Sequence, residues 1–196
     1  MKLFNKILTL LATGAFLTAC QTAPSNTLTF TAPAPTATFN VSNQNAVVNV
    51  AARDMRSQPE VSSYVRDGSL FKLTASPDVV ALFKQVVQQD LNSKGVRLGA
   101  PNASNTNVMV NIKEFYAKVD QGNLRYKISA RVQLDINVQG ARGNFTINIG
   151  AARTTEGAFN ANNDEIQNVL DAAFKDTVAS IYADQEVVSA IRQYSN

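Results

Sequence analysis

The chain has 196 residues, with 18 basic against 15 acidic side chains, one cysteine, and no histidine or tryptophan. Without histidine, the commonest general base and the commonest neutral nitrogen ligand for metals are missing, and one cysteine builds no disulfide framework. The net charge of +3, to which Lys2 and Lys6 near the start contribute two, is too small for a nucleic-acid-binding surface, and neither a metal nor another cofactor is expected.

Lys2 and Lys6 lead into an apolar run from Ile7 to Phe16. Its length suits the apolar region of a secretory signal, roughly 7–15 residues, and falls short of the about 20 that a membrane-spanning helix needs. Leu17-Thr18-Ala19-Cys20 closes the run. A small residue before the cysteine and a leucine three positions before it form a bacterial lipobox. Cleavage between Ala19 and Cys20 and acylation of the Cys20 thiol are expected, making 1–19 a signal peptide. A single acyl chain such as palmitate holds a protein only marginally, at about 0.8 kcal/mol per buried CH₂, whereas two or three hold it stably. The mature chain is thus expected to be anchored to the membrane without spanning it. Gln21 follows the cysteine, in place of the aspartate that retains lipoproteins at the inner membrane. The expected destination is the periplasmic face of the outer membrane.

Residues 20–40 are rich in Thr, Ala and Pro and carry no charge. They read as a tether in which Pro33 and Pro35 favour extended backbone and space the domain off the lipid, with Leu28-Thr29-Phe30 as a first edge strand in the alternative reading. Residues 41–196 then form one domain, long enough to bury a core.

Within it, Ala46 to Ala52 and Leu70 to Thr74 are short β-branched or apolar runs and predict two strands. Ser76-Pro77-Asp78 opens a helix, with Ser76 as the capping hydroxyl; Val79, Leu82, Phe83, Val86, Val87 and Leu91 recur at helical spacing, and Gly95 stops it. Three long strands follow. Val108, Val110 and Ile112 alternate on one parity and Phe115, Ala117 and Val119 on the other, which predicts a bulge near Lys113-Glu114 or a strand covered on both sides. Leu124 to Val138 alternates without interruption, one face apolar and the other polar. Phe145, Ile147, Ile149 and Ala151 mark the third strand. Asn162 or Asn163 caps a long helix, and a shorter one follows near Gln185 to Gln193. The expected fold class is α+β, a mixed, largely antiparallel sheet with a meander of long strands and two main helices packed on one face.

The lipobox leader, the helix opened by Ser76-Pro77-Asp78, the run Gln121-Gly122-Asn123-Leu124-Arg125-Tyr126 and the run Glu156-Gly157-Ala158-Phe159 come in an order and spacing that resemble the YajG family of Gram-negative lipoproteins. The resemblance runs from the leader through the last helix and is weakest in the tether and between Gly99 and Asn107. It implies the fold and the address. That family has no assigned biochemical activity, so the resemblance implies no catalytic residue.

The residues point away from an enzyme. Triads that need histidine are excluded by composition, and Ser–Lys chemistry needs the two residues one turn apart on a helix, a spacing that no predicted helix carries. Gly140-Ala141-Arg142-Gly143 is a hairpin turn and not a phosphate-cradling loop. The nearest carboxylate pairs, Asp164-Glu165 and Asp184 with Glu186, read as acids in first helical turns. A candidate interaction surface has two parts. Arg125, Lys127 and Arg131 point the same way from one strand and suit an anionic partner. Glu156 and Phe159 belong to a loop leading into the long helix. The expected function is a lipid-anchored, non-catalytic binding or accessory module of the cell envelope, docking on an envelope protein complex or peptidoglycan machinery. The alternative is a periplasmic carrier or sensor of a small ligand.

Overall fold

The computed structural model describes residues 25–195, so the signal peptide, the cleavage site at Ala19 and the lipidation site Cys20 lie outside the described residues. In chain order the elements are β1 (Thr27–Thr29), β2 (Val47–Asp54), β3 (Ser62–Arg66), β4 (Ser69–Ser76), α1 (Val79–Ser93), β5 (Arg97–Leu98), β6 (Thr106–Gln121), β7 (Arg125–Gly140), β8 (Gly143–Ala158), α2 (Asn163–Ala183) and α3 (Glu186–Tyr194).

The three sixteen-residue strands β6, β7 and β8 form the predicted antiparallel meander. The opposite edge of β6 is shared. Its first half pairs parallel with β2, from Val48 beside Thr106 to Asp54 beside Ile112, and its second half pairs parallel with β3 at Ser62–Ala117 and Ser63–Lys118. β5 extends the β2 branch, and β4 and then β1 extend the β3 branch. The register of β6 shifts between Ile112 and Glu114, where the change of parity predicts a bulge and where the two branches part. Arg56 fills that fork. Its guanidinium donates to the carbonyls of Pro59 (3.1 Å), Glu60 (3.3 Å) and Phe115 (3.2 Å) and clasps the Asp54 carboxylate at 2.9 and 3.0 Å. Burial alone would raise the Asp54 carboxyl; the bonds from the Arg56 side chain and backbone hold it below its usual value.

The helices cover one face of the sheet, α1 over β2 and β6, α2 over β7 and β8, and α3 over the far end of β7 and β8. Every inward residue of β7 from Tyr126 to Val138 is buried beneath them. At the centre, Phe30, Phe83, Phe115 and Phe174 meet edge to face, with ring centroids 5.0–6.1 Å apart. Asp78 caps α1 by accepting from the N–H of Val80 and Ala81; Ser76, expected as the cap, is the last residue of β4. Asn162 caps α2 in a capping box with Glu165.

The tether reading of 20–40 is overturned where the structure describes it. Leu28 and Phe30 are each 2% exposed, and β1 pairs with β4. Gln167 exchanges two hydrogen bonds with the Thr29 backbone, and the Tyr182 hydroxyl donates to the Pro33 carbonyl at 2.8 Å. The prolines thus belong to a strap laid over the helices. Composition misled here because two buried side chains carry the segment, while its uncharged polar neighbours face water. β3 is a second departure, a strand where none is expected. Its serines dilute the pattern, although Asp67-Gly68, both at positive φ, is a hairpin turn signal.

Candidate functional site

The two runs that carry the family resemblance lie side by side at one end of the sheet. The chain leaves β6 at Gln121, re-enters at Arg125, and leaves β8 after Ala158, so the Gln121–Leu124 turn and the Phe159 turn are neighbours. Gln121 stitches them together. Its Nε2 donates to the Phe159 carbonyl at 2.7 Å and the Gly122 carbonyl at 2.8 Å, and its Oε1 accepts from the Ala161 N–H at 3.1 Å. The Phe159 N–H donates to the Leu124 carbonyl at 3.0 Å. Phe159 has φ +68°, an unusual conformation for a bulky residue and one held here by these bonds. Beneath the turns, the Tyr126 hydroxyl donates to Glu165, an interaction that raises the phenol above its usual value. Gly157 is needed beside it, since a Cβ there would lie 2.2 Å from the Tyr126 oxygen.

This end gathers most of the residues expected to form a surface. Arg125, Lys127, Glu156 and Phe159 share it, while Arg131 stands two pairs further along the outer face of β7. Glu156-Gly157-Ala158, expected in a loop, ends strand β8, and only Phe159 lies in the turn. Leu124, expected in the apolar stripe of β7, is 73% exposed beside Phe159, which is 72% exposed. The basic character foreseen for the strand face is largely answered by cross-strand acids. Lys127 meets Glu156 at 3.8 Å, Arg131 meets Glu114 at 3.8 Å, and Lys113 meets Asp135 at 3.2 Å. Such exposed pairs contribute at most about 1 kcal/mol each. They do cancel the field that would draw an anion to this face, and the period-2 reading of one strand had no view of its neighbours.

A second feature has no counterpart in the sequence reading. Among the described residues, β8 pairs only with β7, leaving a sixteen-residue edge open. The edge carries no proline, no lysine and no break in register. Natural sheets usually blunt their edges with such devices. Beside it runs a groove in two parts. One, of about 460 Å³, lies between Ile147 and Ile149 of β8 and Ser180 and Ala183 of α2; the other, of about 290 Å³, lies between Phe145 and α3.

A larger cavity, of about 630 Å³, opens between strap residues Thr36 to Thr38, Asn43, and the adjoining ends of α2 and α3, where Arg192 contributes an exposed cation. Under it lies a buried ion pair. Lys94 Nζ donates to Asp90 Oδ2 at 2.9 Å and to the Asp184 carbonyl at 2.6 Å. Burial pushes the Asp90 carboxyl up to about 6, against the pull of the Lys94 ammonium.

No grouping of three or more metal-ligating side chains occurs among the described residues. Ser69 and Lys72 form the chain's Ser-x-x-Lys run, but both lie on β4, where residues three apart face opposite sides, so neither can activate the other.

The fold is that of an α+β domain with a helix-covered sheet face and an open one. A family model described as an uncharacterized lipoprotein matches residues 33–192. The uncharacterized lipoprotein YajG of Escherichia coli strain K12 is 31% identical over 141 residues, covering 71% of this chain and 72% of that protein. The same protein from Escherichia coli O6:H1 gives the same values. The chain therefore belongs to the YajG family of uncharacterised lipoproteins, a family of membrane-anchored envelope proteins. Among solved structures, protein XCC0632 from Xanthomonas campestris aligns with a TM-score of 0.51 at 12% identity, over 85% of this chain and 95% of that chain. At that identity the likeness bears on the fold alone.

Proposed function

We propose that the protein is a non-catalytic assembly module of the cell envelope, anchored through Cys20 to the periplasmic face of the outer membrane, which docks on an envelope protein partner by accepting one of its extended strands along β8. The supporting observation is the open sixteen-residue edge beside a shallow groove of mixed character, in which Ile147, Ile149 and Ala183 lie among Asn148, Ser180 and Asp184. Strand addition uses these two parts together, backbone groups of the edge for affinity and side-chain pockets beside it for specificity.

The test is photocrosslinking from a probe at Asn148 in lipidated protein within intact envelopes, with and without Ile147→Lys. A charge at the rim of the groove is the device by which natural edges repel added strands. A protein crosslink that falls at least tenfold in Ile147→Lys, but persists in Leu98→Lys, supports the reading. A crosslink indifferent to Ile147→Lys, or none from β8, refutes it. The cavity beside Arg192 favours a second reading, a carrier of a small acid. It requires a ligand-dependent rise in melting temperature that Arg192→Ala abolishes.

A further inference from the structure

Four exposed apolar side chains share the end of the sheet from which the chain departs toward Cys20. Leu124 and Phe159 are described above. The other two, Val65 (59% exposed) and Leu70 (61% exposed), are paired across the β3–β4 hairpin. Because β3 runs parallel to β6, that hairpin turn points the same way as the turn after Gln121. Asn163, at the start of α2, ties the pieces together. Its Oδ1 accepts from the Tyr64 hydroxyl of β3 at 2.6 Å, and its Nδ2 donates to the Ser25 carbonyl at 2.9 Å. Ser25 is thereby fixed at this end, five residues along the chain from Cys20 with the four residues Gln21 to Pro24 between them. At no more than about 3.6 Å per residue, whatever path those residues take, Cys20 lies within about 18 Å of Ser25.

We infer that this end rests on the lipid bilayer, with Leu124, Phe159, Val65 and Leu70 set into its interfacial layer. The inference rests on the acylation of Cys20 and is independent of the strand-docking reading. A lipid at Cys20 cannot hold the domain far from the bilayer, because the strap consumes the slack that a tether would provide. The surface held closest is also where the apolar residues gather. Arg66, whose guanidinium lies 5.2 Å over the Phe71 ring, and Arg125 flank the two apolar pairs without an acidic partner within 4 Å among the described residues, and Arg125 can reach headgroup phosphates while its stem stays on apolar surface. Asp67 and Asp164 are at the same end and keep it near neutral. The contact is therefore apolar in origin and insensitive to salt.

The test uses the full-length protein, lipidated in cells and reconstituted in phosphatidylethanolamine–phosphatidylglycerol vesicles. Single substitutions Leu124→Cys, Phe159→Cys, Leu70→Cys and, at the opposite end, Leu98→Cys each carry an environment-sensitive fluorophore, the native Cys20 thiol being blocked by its lipid. Mass spectrometry reads acylation separately. With the acyl mass present, blue-shifted emission quenched by bilayer-embedded quenchers at 124, 159 and 70 but not at 98, unchanged in 0.5 M salt, is the expected result. Aqueous emission at 124 and 159 overturns the inference, and so does a blue shift without lipid quenching, which would show the end covered by protein. A missing acyl mass refutes the anchor reading itself, and the inference falls with it.

Discussion

Replacing Phe30 by alanine tests whether the segment next to the lipid site is strap or tether. The ring is 2% exposed and meets Phe115 at 5.0 Å and Phe174 at 6.0 Å between centroids. Truncating a buried phenylalanine costs about 3–5 kcal/mol, since the transfer energy is lost and the surrounding rings cannot fully close the void. Each lost edge-to-face pair contributes roughly 0.5–1.5 kcal/mol of that, which places the expected loss near 4 kcal/mol. Phe39, 55% exposed in the same uncharged stretch, is the matched control, and its alanine variant is expected to lie within about 0.5 kcal/mol of the parent. Urea unfolding of the mature chain carrying Cys20→Ser measures both. Equal effects at the two positions would return the segment to a tether, and the short reach from Cys20 to the domain would go with it.

Two further substitutions address the buried charges. Asp90 has a folded-state value of about 6 against 3.8 for a free side chain, so its contribution to stability is fully present below pH 4 and is lost as pH rises through 6. A shift of that size corresponds to about 3 kcal/mol. The stability of the parent relative to Asp90→Asn is expected to fall by that order between pH 4 and pH 7, and urea midpoints across the range that move in parallel would contradict the assignment. Arg56→Met leaves the Asp54 carboxylate without its cation and strips partners from the Pro59, Glu60 and Phe115 carbonyls. Breaking a pair with a buried guanidinium costs about 3–5 kcal/mol, and partial exposure of Asp54 puts the expectation near 3. Hydrogen exchange is expected to show the loss first at the fork between β2 and β3, and protection unchanged there would count against Arg56 as its support.

The meander was legible because its information is local. Alternation in β7 and the parity change in β6 each follow from one strand's own side chains, and both map directly onto the register. The helices were legible for the same reason. What failed needed a second element. Phe30 is core only because Phe115 and Phe174, far along the chain, converge on it. Leu124 continues an alternating pattern, yet it still belongs to the turn and β7 begins one residue too late to bury it. The basic stripe at Lys127 and Arg131 is visible in one strand, whereas the acids that neutralise it, Glu156 and Glu114, come from the two flanking strands. Whether an edge is open is a property of the assembled sheet and leaves no mark on β8 beyond the missing lysines and prolines.

The end near the bilayer and the open edge together set a geometry for docking. β8 ends at Ala158, beside Phe159, and starts at Gly143 at the far end of the sheet. With the Phe159 end on the bilayer, β8 runs toward the lipid, and its N-terminal half is the part farthest from it. Ile147 lies eleven positions before Ala158, which at about 3.3 Å per residue places it up to about 36 Å from the turn. The groove beside Phe145, Ile147 and Ile149 therefore stands well clear of the headgroups, and a strand added there belongs to a protein reaching across the periplasm or standing tall on the same membrane. Photocrosslinks taken along β8 are then expected to change in kind. A probe at Asn148 captures protein, and one at Ala158 captures lipid. Protein captured equally at both positions would show the bilayer to be elsewhere, while lipid captured at Asn148 would lay the strand flat on the membrane and remove the docking edge from reach.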